Sequence, residues 1–90
     1  MKFKARIEVR LRRDSPDPES ETIKKSLVDL NFQVLQVKVA KVYEITFDAA
    51  TRKDAEALAR TMCARLLVNP TKDEYEFRVE PTVGGSAAKP

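Results

Sequence analysis

Residues 33–48 read Gln33-Val34-Leu35-Gln36-Val37-Lys38-Val39-Ala40-Lys41-Val42-Tyr43-Glu44-Ile45-Thr46-Phe47-Asp48. Two alternating patterns meet in this stretch. Leu35, Val37 and Val39 alternate with Gln36 and Lys38, and Tyr43, Ile45 and Phe47 alternate with Glu44 and Thr46. Such alternation marks half-buried strands with one wet face. Ala40 and Lys41 lie between the two runs. The spacing therefore predicts two strands joined by a tight hairpin.

Upstream, Phe3, Ala5, Ile7, Val9 and Leu11 alternate with Lys4, Arg6, Glu8 and Arg10, which predicts a first strand. Asp17-Pro18 then suits a helix start, with Asp17 as N-cap and Pro18 at the first helical position. Ile23, Leu27 and Leu30 form the apolar stripe of that helix, and Asn31 suits its left-handed stop. Downstream, Thr51 and Asp54 resemble a capping box. Ala55, Leu58, Ala59, Met62 and Leu66 make the buried face of a second helix, which Asn69-Pro70 must end. Tyr75, Phe77 and Val79 alternate with Glu74, Glu76, Arg78 and Glu80 in a last strand.

The order is β-α-β-β-α-β. It predicts an α+β, ferredoxin-like two-layer sandwich: a four-stranded antiparallel sheet of spatial order 4-1-3-2, with both helices on one face. Residues 1–80 form the expected single domain. Residues 81–90 hold both glycines, Gly84 and Gly85, and are expected to be a disordered tail.

Composition trims the chemistry. The 90 residues contain no histidine, no tryptophan and one cysteine. Imidazole bases, catalytic triads and histidine-bearing metal sites are therefore excluded within one chain. Cys63 adjoins the second helix's apolar stripe and reads as a small buried hydrophobe. No cofactor or metal is expected. The formal charge of +3 is too mild to argue for nucleic acid. No apolar run reaches membrane-spanning length, and the opening Met1–Arg10 lacks the apolar block of a signal peptide, so a cytoplasmic protein is expected.

Strand parity divides the outer sheet face. Lys2, Lys4, Arg6 and Arg10 face Glu74, Glu76 and Glu80 across neighbouring strands, which predicts ion pairs there. The milder half carries Val34, Gln36, Lys38, Val42, Glu44 and Thr46. It lies beside an expected edge strand with little to blunt it, so these six residues are expected to form a homo-oligomer interface. An RNA-binding sheet of this topology needs aromatics on that face. Here Phe3, Tyr43, Phe47, Tyr75 and Phe77 all share parity with core positions. A ligand-sensing domain of the same topology is the other alternative, but it usually relies on glycine-rich loops that residues 1–80 lack.

The run Met62-Cys63-Ala64-Arg65-Leu66-Leu67-Val68-Asn69-Pro70 resembles the M-C-x-x-L-L-x-N-P run of the PurS family, the small subunit of phosphoribosylformylglycinamidine (FGAM) synthase. Asp73-Glu74-Tyr75-Glu76, Lys2-Phe3-Lys4, Asp17-Pro18 and Lys41-Val42 are also similar to that family's pattern. Ala40 and Asn31 replace usual glycines, and Glu19-Ser20 replaces a frequent Gln-Gly pair. The resemblance implies a non-catalytic subunit in purine biosynthesis. It would join a glutaminase subunit to a synthetase subunit, which uses ATP to convert formylglycinamide ribonucleotide to the amidine, and would support ammonia transfer between them. Lys41, Asn69 and Pro70 match the pattern without a core duty and are expected to contact those partner subunits.

Overall fold

The computed structural model describes residues 1–82. Its elements are β1 (Lys2–Leu11), α1 (Pro18–Asp29), β2 (Ala40–Asp48), α2 (Arg52–Met62), a π-helical turn (Cys63–Leu67) and β3 (Asp73–Pro81). The sheet has three strands, in the order β2-β1-β3. Both pairings are antiparallel; Ile7 lies opposite Tyr43 on one side and Phe77 on the other. The expected tail falls, from residue 83 on, outside the described residues. Pro81 ends β3, and the Thr82 N–H donates to the Lys2 carbonyl at 2.9 Å.

The core follows the alternation of β1. Phe3, Ala5, Ile7 and Val9 are all buried, together with Val79 of β3. α2 lies over β1 and β3. It presents Ala55 and Ala59, with Cys63 one turn further, and all three are completely buried. Small side chains four residues apart line one helix face and let the backbone approach the sheet closely. Two arginines tie the helix down: Arg52 Nη1 donates to the Val79 carbonyl at 2.6 Å, and the Arg60 guanidinium sits 5.3 Å from the Phe77 ring centroid. Thr51 caps α2 by accepting the Asp54 N–H at 3.1 Å.

The expected four-stranded sheet is not formed. Residues 33–39 belong to no strand, and β2 begins at Ala40 itself. Ala40 pairs with Arg10 and Lys41 with Val9, so both expected hairpin residues are used in the ladder with β1. The physical reason lies in the turn. Compact hairpins need residues at positive φ, and among the described non-glycine residues only Asn31, at φ 73°, adopts it. Without a glycine at Ala40 or Lys41, the chain runs on into β2 instead of reversing.

The expectation that both helices cover one sheet face also fails. α1 packs extensively on no other element, and Ser20 is its one buried residue. Its ends match the sequence reading. Asp17 accepts the Ser20 N–H at 3.3 Å and also the Ser20 hydroxyl. At the other end the Asn31 N–H donates to the Val28 carbonyl and the Phe32 N–H to the Leu27 carbonyl. These two bonds form the Schellman closure around a left-handed residue.

Candidate functional site

The chain's one thiol is placed in the core. Cys63 is fully buried. Burial pushes its thiol above the ordinary value, and the nearby Arg60 charge only partly opposes this. A thiol so placed carries little thiolate at neutral pH. Among the described residues no three of His, Cys, Asp and Glu cluster as metal ligands. No helix there is long and apolar enough to cross a membrane.

The outer sheet face is an ion-pair lattice. Arg10 reaches Glu8 at 3.1 Å, Glu74 at 3.6 Å and Glu76 at 3.8 Å. Glu8 lies directly opposite Glu76 in the register, so Arg10 offsets a like-charge pair. Glu74 and Glu76 of β3 thus meet β1 through Arg10, whereas Glu80 pairs with Arg78 of its own strand at 3.8 Å instead of with β1. The lysines turn the other way, towards β2: Lys4 and Arg6 share Glu44 at 3.4 and 3.9 Å, and Lys2 reaches Asp48 at 3.6 Å. Sequence reasoning missed these contacts because it set β1 charges only against β3.

The six residues expected at an oligomer interface separate into two groups. Val42, Glu44 and Thr46 lie exposed on β2, with Glu44 engaged by Lys4 and Arg6. Val34, Gln36 and Lys38 lie on the extended segment before it, outside the sheet.

The three expected partner contacts gather at one end of the sheet. Lys41 pairs with Val9 near the end of β1, and Asp73 pairs with Leu11. Lys41 and Asp73 both line a cavity of about 270 Å³, together with Leu67, Tyr43 and Asp17. Asn69 has local duties: its side-chain oxygen accepts the N–H groups of Thr71 at 2.9 Å and Lys72 at 3.3 Å, and its own N–H donates to Asp73 Oδ2 at 2.9 Å. The Pro70 carbonyl accepts from Arg12 Nη2 at 3.1 Å. The Asn-Pro pair therefore builds the turn into β3 and ties it to the loop after β1. A larger gap of about 670 Å³ opens next to it, between Arg10–Arg13, the start of α1 and residues 35–39.

The π-helical turn carries the most distinctive part of the sequence. Its N–H···O bond runs from Val68 back five residues to the Cys63 carbonyl at 3.0 Å. Pro70 follows two residues later, so the wider turn ends the helix before the proline (P at 70) would clash. Periodicity did not reveal this turn, because the apolar spacing of α2 continues through it; the outcome is that Leu66 is 83% exposed.

Comparison with known proteins gives one consistent result. Residues 4–81 match the family described as PurS: Phosphoribosylformylglycinamidine (FGAM) synthase. The phosphoribosylformylglycinamidine synthase subunit PurS of Methanothermobacter thermautotrophicus is 30% identical over 84 residues, covering 93% of this chain and 100% of the relative. Thermus thermophilus PurS superposes with a TM-score of 0.82 at 31% identity, covering 92% of this chain and 100% of that one. A chain of the Thermotoga maritima PurLQS structure also gives 0.82 at 31% identity, over 89% of this chain and 99% of that one. The chain belongs to the PurS family, the small subunits of phosphoribosylformylglycinamidine synthase.

Proposed function

We propose that this chain is an assembly subunit: it joins the glutaminase and synthetase subunits of phosphoribosylformylglycinamidine synthase, supports ammonia transfer between them, and performs no bond-making step itself. The observation that carries the proposal is the match to a chain of the Thermotoga maritima PurLQS structure along nearly its whole length. The arrangement of side chains is in keeping with it, since the thiol is buried and the outer carboxylates are held by arginines and lysines. The place of work is the cytoplasm, where this reaction's other subunits and substrates would meet it.

Contact with those partners is assigned to the end of the sheet where Lys41 stands exposed beside the Asn69-Pro70 turn. Among the described residues, Lys41 alone of the three has no side-chain partner that fixes it, so charge reversal there tests the contact most cleanly. The experiment is co-purification with the glutaminase and synthetase subunits, with glutamine and ATP-Mg present. Complex formation is expected with the native chain and at least tenfold weaker with Lys41→Glu, without loss of fold. A native chain that binds neither subunit overturns the assembly role. Undiminished binding by Lys41→Glu moves the contact elsewhere.

A further inference from the structure

We propose that the cavity between the loop after β1, the start of α1 and the extended segment before β2 binds a small phosphate monoester, held by Arg12, Arg13, Lys24 and Lys38. The site goes beyond the assembly role and does not depend on it.

The cavity holds about 670 Å³ and draws its charged lining from three separate stretches of chain. Arg12 and Arg13 come from the loop after β1, Lys24 from α1 and Lys38 from the segment before β2. Among the described residues none of these four cations has an ion-pair partner, whereas Lys2, Lys4, Arg6, Arg10 and Arg78 all reach carboxylates on the sheet. Arg10 also borders the cavity, but Glu8, Glu74 and Glu76 already engage it. The carboxylates in the lining are Asp17 and Glu21. Asp17 is itself occupied by the Ser20 N–H and hydroxyl. Four unpaired cations against two carboxylates leave a surplus of two positive charges around one space.

That surplus matches the charge of the ligand. A phosphate monoester carries about −1.5 to −2 at neutral pH and offers three strong acceptor oxygens. A cleft lined by one sign of charge focuses its field and draws in counter-ions. Two of the donors are set before any ligand arrives. The Arg12 N–H donates to the Lys72 carbonyl at 2.7 Å, and Arg12 Nη2 donates to the Pro70 carbonyl at 3.1 Å. Most of the guanidinium fork is left for phosphate oxygens. Lys24 lies one turn after the buried Ser20 on the same face of α1 and is half-buried itself. A cation partly withdrawn from water without a partner is costly, and an anion in the cavity relieves that cost. The end of α1 is not what defines the site, because the N–H groups of Ser20 and Glu21 already donate to Asp17. The volume exceeds what bare phosphate fills and falls in the roughly 300–1,000 Å³ range of small-molecule sites. Leu11 and Val37 add apolar wall beside the cations, which leaves room for a sugar or a nucleoside on the phosphate.

Amide chemical shifts of the full chain, titrated with adenosine monophosphate, ribose 5-phosphate, inorganic phosphate and adenosine, test the site. At least one of the two esters is expected to saturate with a Kd below about 1 mM, with shifts confined to residues 12–24 and 36–38. Inorganic phosphate is expected to bind at least tenfold more weakly, and adenosine not at all. A nucleotide that binds at least tenfold tighter than the sugar phosphate supports a nucleotide ligand; equal or reversed affinities support a sugar phosphate. Arg13→Gln with Lys24→Gln is expected to weaken the ester at least tenfold. Lys53→Gln with Arg65→Gln removes the same charge away from the cavity and is expected to weaken it less than threefold. Should the cavity variant fail to fold, Arg13→Gln alone, on an exposed loop position, decides with a loss of at least threefold. No saturation by either ester at tenfold that concentration overturns the proposal. So does an equal loss in the cavity and control variants, inorganic phosphate or adenosine binding as tightly as the esters, or an acidic hexapeptide taking the place of both.

Discussion

α1 and α2 have nearly the same length, 12 and 11 residues, and both are capped at the N-terminus by a side-chain oxygen. Their fates differ. α2 places Ala55 and Ala59 in the core, whereas α1 buries only Ser20. The difference is not one of local helix signals. It comes from the connections: α2 leaves β2 through the short turn at Ala49–Thr51 and returns through a π-helical turn into β3, so both its ends are fixed to the sheet. α1 is fixed at its start but leads into a ten-residue stretch, 30–39, that carries no regular structure. Local pattern makes a helix; the chain on either side decides what it can cover.

The largest expected effect sets one region against the other. Phe3 is 1% exposed at the centre of the core, so Phe3→Ala should cost about 3–5 kcal/mol. That loss should be independent of protein concentration. Leu30→Ala, at the far end of α1, should cost less than about 0.5 kcal/mol in dilute protein and more as the concentration rises. Urea unfolding at two concentrations a hundredfold apart distinguishes the two. Equal, concentration-independent losses would break the contrast between the regions.

A second effect concerns the exit from α1. Asn31 sits at φ 73°, where a branched side chain is strained and glycine is not. Asn31→Val should cost about 1–2 kcal/mol, and Asn31→Gly should be neutral or slightly stabilising. Denaturant midpoints check both. If the two variants behave alike, the Schellman closure is not what holds the end of α1.

Asn31 also shows what could be read in the sequence. The strand alternations, both N-caps, the left-handed stop and the buried cysteine were legible because each depends on residues close in sequence. So was the order of the three strands that form. The second of the four expected strands was misread because Leu35, Val37 and Val39 carry a strand's pattern without the turn chemistry that would return it to the sheet. The pattern records what these side chains can bury, not what buries them. The candidate site was legible only in part: periodicity could not show the π-helical turn, nor Asn69 occupied by its own turn, nor Glu44 held by Lys4 and Arg6.

On the packed side, Arg10 bridges three glutamates with its side chain 29% exposed. Arg10→Ala leaves Glu8 facing Glu76 without a cation between them. A loss of about 0.5–1 kcal/mol is expected, as for a partly screened network, shrinking as salt rises to 1 M. Among the described residues α1 has no such bridge, and its acidic residues in the first turn, Glu19 and Glu21, interact with the helix dipole instead. A loss that does not change with salt would mean that Arg10 acts through its aliphatic packing.

The smallest expected effect tests the side-chain cap at the start of α1. The Ser20 hydroxyl, and then the Ser20 N–H, donate to the Asp17 carboxylate and hold its pKa below the ordinary aspartate value; slight burial opposes them. The unfolded chain keeps the ordinary value, so the unfolded state binds the proton more readily. The contribution is therefore complete above the unfolded value and is lost as pH falls through the lower, folded one. Hydrogen exchange at the Ser20 amide should accelerate over that acid window relative to amides in α2. Asp17→Asn keeps an accepting oxygen but cannot titrate there, so the Ser20 amide of this variant should show no such acid step. If the step persists in Asp17→Asn, some group other than the cap governs how α1 is held.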